Sequence, residues 1–160
     1  MYGKKHNLEI SYDFNFRPAL WDKERAREVA FHTIKEFATI VCITKEEIDL
    51  LGHGGDYEKV VEDFLEWGVR LVAIKLGDKG CHLFSKTQSV LAPAYPIEVA
   101  DTVGAGDAFA AAIVSGILED MPLEKLASFA NLTAALTCRG TGPVQMQPQR
   151  EEVEAFLEKA

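Results

Sequence analysis

At 160 residues and 48% hydrophobic, the chain is long enough to bury a sizeable core and short enough to need only one. A formal net charge of −8 argues against a nucleic-acid surface, which relies on clustered Lys and Arg. No apolar run approaches the roughly 18 residues of a bilayer span, and the start MYGKKHNLEI lacks an apolar signal core, so a cytoplasmic protein without nucleic-acid or membrane partners is expected.

Taken in chain order, LEISYDF (8–14) alternates like a strand, and Pro18 marks a turn before a helix that begins near Asp22. That helix would bury Ala26, Val29, Ala30, Ile34 and Phe37. ATIVCI (38–43) suits a buried parallel strand and is followed by a short helix from Lys45 to Leu51 that stops at Gly52. The loop GHGGD, containing His53, leads into a helix with Asp56 as N-cap, Val60, Val61, Phe64 and Leu65 as apolar face and Gly68 at its end. VRLVAIK (69–75) and CHLFS (81–85) read as strands joined by the turn LGDKG, and VLAPAYPIEV is extended but broken by Pro93 and Pro96. Helices are predicted at about 105–118, 123–138 and 149–158. This alternation predicts an α/β fold with a mostly parallel sheet and ligands at the C-terminal ends of its strands. Cys42, Cys81 and Cys138 fit neither a disulfide framework nor a zinc spacing and read as core thiols. The histidines His6, His32, His53 and His82 form no constellation.

Four stretches carry candidate chemistry. Asp101-Thr102-Val103-Gly104-Ala105-Gly106-Asp107 runs directly into the apolar helix AFAAAIVSGIL. Its glycines permit positive φ and close backbone approach, and the free N–H groups of the first turn favour an anion such as phosphate, with Asp107 placed to meet a hydroxyl aimed at it. The plain alternative is a tight turn with Asp107 as an ordinary first-turn acid. In Asp13-Phe14-Asn15-Phe16-Arg17-Pro18 the three polar residues would share one face of an extended segment, either as a phosphate site or as a solvated strand end whose Arg17 pairs with a surface acid. Thr44 and Glu47 have the spacing of a capping box. Lys75-Leu76-Gly77-Asp78-Lys79-Gly80 reads equally as a β-turn with Gly at positive φ, and Asn131, alone in a helix, as a packed or solvent-facing side chain.

The string DTVGAGDAF closely resembles the C-terminal signature of the ribokinase/PfkB family of carbohydrate kinases. The resemblance implies a ribokinase-like three-layer α/β/α sandwich, with Asp107 as catalytic base and Gly104, Ala105 and Gly106 as the anion hole for the transferred phosphoryl group. It also implies ATP and Mg2+ as cofactors. The segment from Asp13 to Trp21 is similar to the D-x-N-x-R-P-x-L-W stretch of the fructokinase and 2-keto-3-deoxygluconate kinase branches, which implies that Asn15 and Arg17 lie near the nucleotide phosphates. Thr44 to Glu47 stands where the family has Asn-x-x-Glu, with Thr44 replacing Asn, and implies a place for Glu47 in the magnesium network beside its capping role. The Lys75–Gly80 turn resembles the family's T-x-G-x-x-G loop with Lys75 in place of Thr; Lys75, Gly77, Gly80 and Thr102 become nucleotide-site candidates. FANLTAALTCRGTGP looks like the helix and loop over the base, with Asn131 beside adenine, and Asp101 matches a position tied to a monovalent cation.

The resemblance covers nearly the whole chain but only the C-terminal half of a family member. Residues 1–160 would be the nucleotide-binding and catalytic-base part, without the N-terminal part that supplies the sugar-holding Asp and the β lid, and the chain would be a fragment or a truncated reading frame. A sheet edge left open in this way invites self-association, so a homo-oligomer is one expectation. The main expectation is ATP-dependent phosphorylation of a primary hydroxyl on a sugar or sugar acid, of fructokinase or 2-keto-3-deoxygluconokinase type. The alternatives are a nucleotide-binding module without turnover and an interaction protein that pairs through its sheet edge. A Rossmann dehydrogenase is disfavoured because the glycine loop comes late and does not read GxGxxG.

Overall fold

The computed structural model describes Gly3, residues 6–52 and residues 56–159. The GHGGD loop with His53 lies mostly outside the described residues. The chain divides into two units, Met1–Lys75 with Leu83–Ser89, and Leu76–His82 with Val90–Ala160.

The first unit is built on three parallel strands, β1 (Ser11–Asp13), β2 (Ile40–Thr44) and β3 (Leu71–Lys75). β1 pairs with β2 from Ser11↔Ile40 to Asp13↔Cys42, and β2 pairs with β3 from Ile40↔Leu71 to Thr44↔Lys75. Ile40, Val41, Cys42 and Ile43 are all buried, which explains the uninterrupted apolar run: a central parallel strand is covered on both faces, so period-two alternation is lost. β1 is shorter than the alternation over 8–14 predicts; at its C-terminal end it stops just before Asn15 turns to φ +45.

α1 (Lys23–Glu36) starts where Asp22 caps it, the side chain accepting the Arg25 N–H at 2.8 Å. Ala26, Ala30 and Ile34 are buried four residues apart, while Val29 and Phe37 are half-buried at the margin of the same face. α2 (Lys45–Leu51) opens on a complete Thr44/Glu47 capping box and ends at Gly52, φ +124. α3 (Tyr57–Glu66) buries Val60, Val61 and Phe64, with Leu65 half-buried. Asp56 holds the N-cap position but makes no capping bond; its carboxylate pairs with Lys59 Nζ at 3.3 Å instead.

Strands β4 (Cys81–Phe84) and β5 (Ser89–Ala92) follow a single 3-10 turn at Gly77–Lys79, and β5 ends just before Pro93, which has no N–H for a ladder. The second unit is mainly helical: α4 (Ala105–Leu118), α5 (Leu123–Thr137) and α6 (Arg150–Leu157). Ala108, Phe109, Ala112, Ile113 and Gly116 form the buried stripe of α4. A Cβ at Gly116 would overlap the Leu126 side chain, so glycine there lets α4 and α5 approach closely. α6 is latched by Arg150 to Glu119 and by Arg139 to Glu152. Among the described residues no helix is long and apolar enough to cross a membrane.

Candidate functional site

In the second unit the glycine loop and the start of α4 are shaped by one steric demand. Gly104 sits at φ +87, ψ −11, and a Cβ on it would lie 2.8 Å from both Pro143 Cα and the Pro143 carbonyl oxygen. Both the backbone conformation and the contact therefore exclude a side chain. The turn closes with the Ala105 N–H donating to Thr102 O at 3.2 Å, and the helix begins with the Ala108 N–H donating to Gly104 O at 2.9 Å. The Gly106 and Asp107 amides fall in the first turn, ahead of any helical carbonyl partner, and Asp107 is exposed beside them. An exposed carboxylate next to bare amide donors can take a proton from a hydroxyl while the amides meet developing negative charge.

Asp101 and Asn131 hold backbone rather than standing free. Asp101 Oδ1 accepts the Val103 N–H at 3.0 Å and Oδ2 accepts the Gly142 N–H at 3.1 Å, tying the glycine loop to a turn 41 residues on. These two bonds, Val103 first, hold the Asp101 carboxyl below the usual aspartate range. Asn131 is buried, and its Nδ2 donates to Ala92 O at 3.1 Å and Pro93 O at 3.0 Å, which is the packed alternative of its sequence reading. Burial pushes the neighbouring Cys81 thiol up to about 12, against a smaller lowering by Asn131. Gly80, φ +99, has the Ala94 nitrogen 2.6 Å from where its Cβ would lie, whereas Gly77, φ +63, faces open space. Thr102 is exposed.

The first unit gathers its polar groups at the C-terminal end of the parallel strands. Lys75 Nζ donates to Asp13 Oδ1 at 3.0 Å and Oδ2 at 2.8 Å, spanning the middle strand. The two side chains are 15% and 22% exposed, so this pair is well shielded from water. It corrects the expectation that Asp13, Asn15 and Arg17 line one extended face: Asp13 is engaged with Lys75, Asn15 is left-handed at φ +45, and the strand has already ended. Asn tolerates that region because its short polar side chain compensates locally. Arg17 is exposed, its Nη1 donating to Phe16 O at 3.2 Å, and among the described residues no carboxylate pairs with it.

Glu47 is buried and spends one oxygen on each of two segments. Oε2 accepts the Thr44 N–H at 2.8 Å, completing the capping box, and Oε1 accepts the Phe16 N–H at 2.7 Å. Cys42, the register partner of Asp13, has its thiol pushed up to about 12, by burial first and by Asp13 next, with Lys75 opposing. Tyr12 is raised as well, by burial and then by the charges of Glu47 and Asp13. Among the described residues no group of three or more His, Cys, Asp or Glu side chains is arranged to hold a metal. Sequence reasoning missed the Asp13–Lys75 pair; its only trace in the sequence is that each is the last residue of its strand with opposite charge.

The sequence pattern of the pfkB family of carbohydrate kinases matches residues 3–150. The chain belongs to that family. It is 29% identical over 160 residues to a 5-dehydro-2-deoxygluconokinase of Bacillus subtilis, covering 98% of this chain and 49% of the relative. It is 31% identical over 166 residues to fructokinase-1 of Oryza sativa, covering 99% and 51%. Among solved structures, a ribokinase-II-type protein of E. coli in complex with ATP and Mg2+ superposes with a TM-score of 0.88 at 29% identity, over 98% of this chain and 51% of that one. A 2-dehydro-3-deoxygluconokinase of Thermotoga maritima superposes with a TM-score of 0.85 at 25% identity, over 98% and 52%. The fold is therefore ribokinase-like, and the pfkB chain spans about half the length of the relatives it matches.

Proposed function

We propose that this pfkB-family chain carries the catalytic-base part of a cytoplasmic ATP-dependent sugar or sugar-acid kinase. Asp107 takes the proton of a primary hydroxyl, whose oxygen attacks the γ-phosphorus of ATP, and the backbone of Gly104, Ala105 and Gly106 stabilises charge on the transferred phosphoryl group. The observation that carries this reading is the exposed Asp107 carboxylate set in the first turn of α4, directly behind a Gly104 that no other residue can replace without strain. The relatives named as 5-dehydro-2-deoxygluconokinase and fructokinase favour a six-carbon keto sugar or sugar acid as substrate class.

Asn15 and Arg17 are proposed to contact the nucleotide phosphates, both being exposed at the C-terminal end of a parallel strand. Gly77 and Gly80 are proposed to shape the nucleotide-side turn. Magnesium supplies charge neutralisation on the phosphates, and the absence of a three-ligand cluster among the described residues suits an ion held largely by phosphate oxygens and water.

The test is ADP release by the 160-residue chain with MgATP and a panel of fructose, 2-keto-3-deoxygluconate, 5-keto-2-deoxygluconate and ribose. Sugar-dependent turnover that falls by about 10²–10⁴-fold in Asp107→Asn, with nucleotide binding retained, is the expected result. Nucleotide binding without turnover on any sugar would favour the module reading, consistent with a chain half the length of its relatives.

A further inference from the structure

We propose that Glu47 is a positioning residue that sets nucleotide affinity by pinning the kinked segment bearing Asn15 and Arg17. The proposal rests on the reading that Asn15 and Arg17 meet the nucleotide phosphates.

Capping accounts for only half of what Glu47 does. A capping box needs one carboxylate oxygen returned to the N-cap amide, and Oε2 provides it on Thr44. The other oxygen accepts the Phe16 N–H at 2.7 Å, from a segment 31 residues away in sequence. Charge-assisted bonds of this kind are the strong ones, and Glu47, at 9% exposure, makes both where water competes little.

Between Phe14 and Phe16 the chain passes through Asn15 at φ +45, a left-handed conformation that Asn tolerates and that bends the segment out of the strand. Both neighbours are held. The Phe14 N–H donates to Cys42 O at 3.2 Å and its ring is buried, and Phe16 is fixed by Glu47, with the two rings stacked 5.9 Å apart. Arg17 follows directly and is exposed. The Glu47 carboxylate is thus the fixed point from which Arg17 projects. With each oxygen already accepting an N–H, Glu47 is engaged as a backbone acceptor on two segments.

The experiment compares the 160-residue chain with Glu47→Ala by amide hydrogen exchange and by equilibrium binding of a non-hydrolysable MgATP analogue at varied free magnesium. Alanine offers no acceptor to either N–H donor, so the Phe16 tether is lost along with the cap. The expected result is faster exchange at the Phe16 amide by about tenfold or more and a Kd raised about five- to twentyfold, with unchanged magnesium dependence. The Kd effect should also shrink in an Arg17→Ala background, because part of it acts through the Arg17 contact. Thr44→Val separates the roles: it removes the helix cap while leaving the Phe16 tether, and is expected to lower stability without raising Kd. A Phe16 amide that exchanges as before, a Kd effect that adds fully to that of Arg17→Ala, or a magnesium dependence shifted in step with Kd would overturn the proposal alone. Failure of the unsubstituted chain to bind the analogue would overturn the nucleotide reading, and this proposal with it.

Discussion

Replacing Gly104 with alanine tests whether the glycine loop is over-determined by its surroundings. The substitution imposes two costs that the structure separates. Holding an alanine at φ +87 costs about 1–3 kcal/mol in backbone conformation. Seating its Cβ 2.8 Å from the Pro143 backbone adds about 1–3 kcal/mol of overpacking, because the opposing atoms are main chain and cannot rotate aside. The sum, about 2–6 kcal/mol, is a large share of the roughly 5–15 kcal/mol that holds an ordinary domain together. Gly77→Ala is the internal control. It lies in the same unit, has φ +63, and no atom lies within 4 Å of its would-be Cβ, so it carries the backbone cost alone. Urea unfolding of the two variants should show Gly104→Ala less stable than Gly77→Ala by about 1–3 kcal/mol at equal m-value. Equal destabilisation would refute the reasoning, since it would mean that the Pro143 turn yields freely and does not fix the loop.

Two further outcomes follow from the electrostatics. Asp101 is held below its ordinary value of 3.8 by the Val103 and Gly142 amides, so the stability it contributes is complete above that value and is lost as pH falls through the lowered one. The gap between the urea midpoints of the unsubstituted chain and Asp101→Asn should therefore be constant above about pH 5 and narrow below about pH 4; a gap independent of pH would remove the carboxylate from the account. Burial that pushes Cys42 and Cys81 up to about 12 leaves little thiolate at neutral pH, so a disulfide reagent at about pH 8 should label neither in the folded chain and all three cysteines in denaturant. Rapid labelling of Cys42 would show that β2 is not covered on both faces.

What the sequence makes legible here is local. Asp22, the Thr44/Glu47 box, Gly52 and the start of α4 after Gly104 are all found where capping and glycine rules place them, because each depends on atoms within a few residues. The signature DTVGAGDAF was enough for the family, and the family for the fold. Side-chain partnerships between distant segments were not legible. Asp13 and Lys75 are 62 residues apart, Glu47 and Phe16 31, Asp101 and Gly142 41. Nothing in the spacing of either partner specifies the other. The Asn15 kink failed for a different reason: Asp, Asn and Arg alternating with two Phe residues fits an extended strand, but Asn also tolerates the left-handed region, and the pattern cannot rank the two.

The same limit separates the three acids of interest. Asp101, Glu47 and Asp107 all resemble functional positions, yet only their hydrogen-bond partners tell them apart. Asp101 and Glu47 each accept two backbone N–H groups, one per oxygen, and each joins segments far apart in sequence. Negative charge spent in this way is already balanced by amide dipoles, so the gain from a further cation is reduced and the loss of either carboxylate would be felt first as a misplaced loop. Asp107 is exposed in the first turn of α4, where no such pair of donors among the described residues engages it. A general base must keep a lone pair directed at its substrate. Under the proposed reading Asp107 takes that part, and the other two carboxylates serve as the fixed points of their loops.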